Sequence, residues 1–133
     1  VSALSDYAEN KLLDHAVGTT SFTMPATVRV ALFTTSGSLA NLEAGTLTGE
    51  VSGGSYARQT PTFSAASGGA TSNTGALTFT NMPANTVRFV ALMDSATAGA
   101  GNVLFYGQLA ADKTTGAGDT FTIAIGDLDV TLA

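Results

Sequence analysis

The apolar positions of this chain change period once. From Ser5 to Val17 (SDYAENKLLDHAV) they recur at helical spacing: Ala8, Leu12 and Ala16 form a stripe that Leu13 and Val17 widen, with Tyr7 beside it. Ser5 is a plausible N-cap, Asp6 and Glu9 suit the positive end of the helix dipole, and Gly18 supplies the stop. A helix of this length is marginal alone, so its apolar face must dock on its own sheet or on a neighbour. Ahead of it, Val1 to Leu4 reads as an ordered arm or a frayed end.

Beyond Gly18 the pattern becomes that of strands. MPATVRVALF (Met24 to Phe33) has a close copy in MPANTVRFVALM (Met82 to Met93). The near-continuous apolar runs Val28 to Phe33 and Val87 to Met93 predict central strands, buried on both faces or with one face under a loop or partner. Between them, Ser36 to Gly49 is a long excursion carrying Leu39, Leu42 and Leu47, with a short helical turn expected over Leu39 to Glu43. Ser55 to Phe63 alternates, and Pro61 makes it an edge or bulged strand; Ser64 to Thr74 reads as a turn. Ala76 to Thr80 places Leu77 and Phe79 on one face and runs through Asn81-Met82-Pro83 into the second copy.

After a Gly/Ala-rich turn at Asp94 to Asn102, the segment Val103 to Leu109 is expected to alternate, with Val103, Phe105 and Gly107 opposite Leu104, Tyr106 and Gln108. Asp119 to Ile125 aligns Phe121, Ile123 and Ile125. A Gly126-Asp127 break then leads into Leu128, Val130 and Leu132. About seven or eight strands at turn-punctuated spacing predict a mainly β fold, an antiparallel β-sandwich of jelly-roll-like type with one N-terminal helix. The duplicated strand fits two Greek-key halves with equivalent strands in equivalent places; an up-and-down barrel is the alternative. The expected organisation is a single domain, residues 1–18 forming an arm and helix and residues 19–133 the sandwich.

Composition narrows the partners. Only 11% of residues are charged, against about a quarter in an ordinary domain, and Gly, Ala, Ser and Thr are plentiful. A surface of small, uncharged side chains loses little entropy when ordered and has few charges to desolvate, which suits packing against neighbours. The net charge of −5 with five scattered basic residues argues against nucleic acid. No run approaches the roughly 18 apolar residues of a membrane span, and no signal-peptide pattern is present, so no membrane partner is expected. Without cysteine there is no disulfide or thiolate metal site.

The residues offer little chemistry. His15, the only histidine, sits in the last helical turn, where it complements the dipole, and there is no G-x-S-x-G elbow. Asp127 and Asp129, with Asp119, could in principle hold Ca²⁺ or act as a glycosidase pair, but Asp is expected at turns, no EF-hand-like run is present, and the chain has no Trp to line a sugar cleft. Gly53-Gly54-Ser55 precedes a strand, not a helix, so it is no phosphate loop. No catalytic residue, metal or cofactor is expected. Most aromatics are assigned to the core. The expected interface residues are Leu4, Tyr7, Leu12, Leu13 and Tyr106.

The blocks AENKLLDH, MPATVRVALF, EVSGGSYARQ, FSAASGGATSNT, LFYGQL and GDTFTIAIGDLDVTLA resemble small virion proteins of tailed bacteriophages, of the tail-fibre-like and head-decoration type. The likeness runs in order over nearly the whole chain and departs in Ser36 to Gly49, which is longer and more Leu-rich than that family suggests. It implies a non-enzymatic virion component. The first expectation is a capsid decoration (cement) protein on the outer shell, binding the major capsid protein and copies of itself, a trimer among the options. The alternative is a tail-fibre or collar appendage that meets a host receptor. Either would be assembled in the host cytoplasm.

Overall fold

The computed structural model describes residues 1–132. The elements run β1 (Ala3–Leu4), α1 (Asp6–Ala16), β2 (Arg29–Thr34), α2 (Leu39–Glu43), β3 (Ala70–Ser72), β4 (Leu77–Met82), β5 (Asn85–Met93), β6 (Val103–Thr115), β7 (Asp119–Ile123) and β8 (Asp129–Thr131). Every strand pairing is antiparallel. One sheet has the order β1-β6-β5-β2, and two ladders, β4 with β7 and β3 with β8, form the opposing layer. The pairings β5·β6, β4·β7 and β3·β8 nest inside one another, as in a ribbon rolled into a sandwich.

The continuous apolar run of β2 has a direct cause. Val30 and Leu32 face the main core, with Leu77, Phe79 and Met82 of β4, Phe121 and Ile123 of β7, and Val130 of β8. Their neighbours Ala31 and Phe33 face the other way, into a second buried cluster with Phe89, Ala91, Met93, Val103 and Tyr106. That second face is closed by Leu42 of α2, with Leu47 packed against it. The Ser36–Gly49 excursion is thus the lid of the outer sheet face. Its base is pinched where a Cβ on Gly37 would lie 2.7 Å from the Thr48 carbonyl oxygen and one on Gly49 2.6 Å from the Gly37 nitrogen.

The two copies of the repeated strand are neighbours in one sheet: β2 pairs with β5 over Arg29↔Met93, Val30↔Leu92, Ala31↔Ala91, Leu32↔Val90 and Phe33↔Phe89. The repeat alone left this adjacency open. Corrections to the expected elements follow from tertiary contacts. Ser55–Phe63 forms no ladder; it makes isolated bridges, Gln59 to Val30 and Phe63 to Asn73, because Pro61 has no N–H to give and the chain turns inward at Arg58. The Ser64–Thr74 turn contains β3, paired with β8. In β6 the register shifts opposite Leu92 and Met93, so that Leu104 and Phe105 both pack on the main core and strict alternation fails. Strand β7 ends at Ile123, leaving Ile125 exposed, and Leu132 is exposed beyond β8.

At the N-terminus, Ser5 caps α1 by accepting from the Ala8 N–H at 3.2 Å, and its hydroxyl donates to the Val103 carbonyl. Strand β1 pairs with β6 through Ala3↔Tyr106 and Leu4↔Phe105, so the arm is an edge strand of the chain's own sheet. Gly18, at φ +78°, follows the helix in the left-handed region that ends it.

Candidate interaction surface

The residues with chemical potential do not converge. His15 is exposed, its Nδ1 accepting from the Phe22 N–H at 3.1 Å, which ties the following linker to the helix end. Asp127 and Asp129 are exposed, and no group of three or more His, Cys, Asp or Glu able to hold a metal occurs among the described residues. No helix among them is long and apolar enough to cross a membrane.

The most elaborate polar arrangement went unread in the sequence. The Arg58 guanidinium, fully buried, donates from Nε to Glu50 Oε1 at 2.7 Å and from Nη2 to Oε2 at 2.8 Å. Its Nη1 donates to the carbonyls of Ser95 and Ala100, both at 2.9 Å. Glu50 also accepts from the Gly99 N–H at 2.7 Å and the Tyr56 hydroxyl at 3.2 Å, while that hydroxyl accepts from the Leu32 N–H at 3.0 Å. Burial pushes the Tyr56 hydroxyl well above the usual tyrosine range, with the Glu50 carboxylate adding to it against the opposing Leu32 hydrogen bond. This network locks the β5–β6 turn to the edge of β2. Each buried polar side-chain atom of the network has a partner, which makes it a structural lock.

An apolar groove of about 420 Å³ lies between α1, the linker after it and the end of the sandwich. Leu12, Phe22, Pro25, Val28, Phe63 and Phe105 are among its walls, and none of the residues lining it is charged. Next in sequence to its lining residues Leu12 and Pro25 are two exposed apolar side chains, Leu13 at 62% and Met24 at 84%, and Val17 at the helix C-cap is exposed at 66%. Of the five expected interface residues, Leu12 lines this groove and Leu13 stands exposed beside it on the same helix. Leu4 and Tyr7 are half-buried, Leu4 in the β1·β6 pairing and Tyr7 against the main core. Tyr106 is only 7% exposed, engaged in the second core cluster of its own chain, because the β6 bulge turns it under the α2 lid. Burial, and then the carboxylates of Glu43, Glu9 and Asp6, push its hydroxyl upward. Met24 and Phe22 were not anticipated as surface residues; the exposed Met-Pro start of a repeated strand was the available signal.

The described residues thus form an antiparallel sandwich with its buried side-chain polar groups partnered and an uncharged apolar groove on its surface. The chain belongs to the family described as podophage GP4 fiber I protein gp80, whose model matches residues 3–131. It is accordingly a phage structural protein. No curated protein matches it.

Proposed function

We propose that this chain is a module of a fibre or tail appendage on a phage particle. The observation that carries the reading is the family match over residues 3–131. It moves the fibre ahead of the cement protein that the sequence first suggested. The composition supports it physically: a low-charge surface rich in small residues is suited to contacts with other chains. The cement reading retains one specific support, the compact and non-fibrous shape of the domain.

Two measurements on purified particles decide between them. Gold-labelled antibody against the chain should mark fibres or the tail in electron micrographs, and quantitative mass spectrometry should count a few copies per hundred shell subunits. Labelling spread over the shell at a copy number near that of the major shell protein would overturn the fibre reading and establish the cement one. Absence from the particle would overturn both.

A further inference from the structure

We infer that His15 is a pH-sensitive clasp: as a neutral imidazole it holds the linker after α1 against the helix end, and on taking up a proton it lets that linker go. The inference does not depend on whether the particle carries the chain on its fibres or on its shell. Three observations carry it. First, the contact admits one protonation state. The Phe22 N–H can only donate, so His15 Nδ1, 3.1 Å away, must present a lone pair, which assigns the imidazole proton to Nε2. A protonated imidazole bears N–H on both nitrogens and has no acceptor left. The proton and the Phe22 N–H therefore compete for one lone pair.

Second, little else holds the linker. Thr19 and Thr20 donate to the Asp14 carbonyl at 2.9 and 3.3 Å. From there to the start of β2 the chain joins no strand ladder, and none of residues 18–27 is buried. Phe22 and Pro25 are half-buried because they form part of the wall of the apolar groove. The His15 bond thus fixes the backbone at the residue whose side chain enters that wall, and its release loosens one side of the groove.

Third, His15 is placed to sense acid and the linker is not. Histidine is the side chain that changes charge in mildly acidic solution, and His15 stands exposed in the last turn of α1. Its charged neighbours along the helix are Asp14, the preceding residue, and Lys11, one turn back. Residues 18–27 include no ionisable side chain, and no residue lining the groove is charged.

The test is amide exchange with water in the full chain, followed by NMR in wild type, His15→Asn and His15→Ala at about pH 7.5 and about pH 5.5, on either side of the ordinary histidine titration. Each rate is corrected for the pH dependence of an unstructured amide. Asn carries an acceptor oxygen at the same remove from the backbone as Nδ1 and does not titrate, whereas Ala has no acceptor. His15 is exposed, so both variants should keep the wild-type circular dichroism and melting curve. In the wild type the Phe22 amide should lose protection by about 5-fold on acidification, the worth of one intramolecular hydrogen bond, while the amides of β2 stay as they were. The His15→Asn protein should keep that protection at both pH values, and the His15→Ala protein should lack it at both. A wild-type Phe22 amide indifferent to pH would overturn the inference. So would a pH response that survives in either variant, since another group would then be the sensor.

Discussion

Ala31 lies directly opposite Ala91 across β2 and β5, and the two alanines hold the same position in the two copies of the internal repeat. On either side of this pair the register is symmetric, Val30 meeting Leu92 and Leu32 meeting Val90. Both alanines are fully buried in the cluster beneath the α2 lid, where Leu42 also packs. Two near-identical strands brought together antiparallel set equivalent positions of the repeat opposite each other at one point only, and a small residue there lets the lid approach the sheet.

Enlarging either alanine should therefore cost similar amounts. Ala31→Val and Ala91→Val are each expected to destabilise by about 1–3 kcal/mol through overpacking, measured by urea unfolding. Because the two sites touch, the double variant should depart from the sum of the single ones. Strict additivity, or a cost at one site alone, would count against a shared constraint under the lid.

The lid makes its own prediction. Leu42 is 1% exposed and is the main apolar anchor of the Ser36–Gly49 excursion. Leu42→Ala should cost about 2–5 kcal/mol and raise amide exchange over Ala31, Phe89 and Ala91. A loss well below 1 kcal/mol would mean that the excursion is a surface loop and not part of the core.

Much of this was legible in the chain. Helix α1 announced itself through Ser5, the acidic first turn and Gly18, and α2 through three leucines in a polar stretch. What could not be read was what depends on distant partners. Strand β3 sits in a Gly/Ser/Ala run and exists because β8 pairs with it. The distal half of β6, Ala110 to Thr114, is exposed and has no alternating pattern to betray a strand. Tyr106 was placed on the surface by strict alternation, and the bulge beside Leu104 put it under the lid. In the groove, Leu12 and Leu13 were visible on the helical stripe, whereas Phe22 and Met24 come from an irregular linker that gives periodicity nothing to act on.

Two ion pairs of similar geometry should behave very differently. Arg88 donates to Asp112 from Nε at 2.9 Å and from Nη2 at 2.7 Å, but both side chains are exposed. Asp112→Asn should leave the unfolding midpoint nearly unchanged, since an exposed pair is screened by solvent, even though the hydrogen bond from Arg88 holds the Asp112 carboxyl below its ordinary range. Arg58→Met should cost about 3–5 kcal/mol, because it leaves the Glu50 carboxylate buried and unpaired and frees the Ser95 and Ala100 carbonyls. Denaturant unfolding at neutral pH tests the contrast, and comparable losses at the two sites would refute it.

Tyr56 supplies the pH dependence. An unfolded tyrosine ionises near pH 10, whereas burial raises the Tyr56 hydroxyl above that value in the folded chain. A group whose folded pKa is raised contributes stability that is fully present below the unfolded pKa and is lost as pH rises beyond it, since only the unfolded chain then gives up the proton. The protein should therefore weaken progressively above about pH 10. At pH 7, Tyr56→Phe should cost about 1–3 kcal/mol, because the Leu32 N–H loses its acceptor and Glu50 one donor. Having no hydroxyl to titrate there, the variant should lose less stability between pH 7 and pH 11 than the wild type, so the two stabilities converge in alkali. Urea unfolding of both proteins at the two pH values measures this directly. Parallel losses would mean that Tyr56 is not the group whose ionisation unfolds the sandwich.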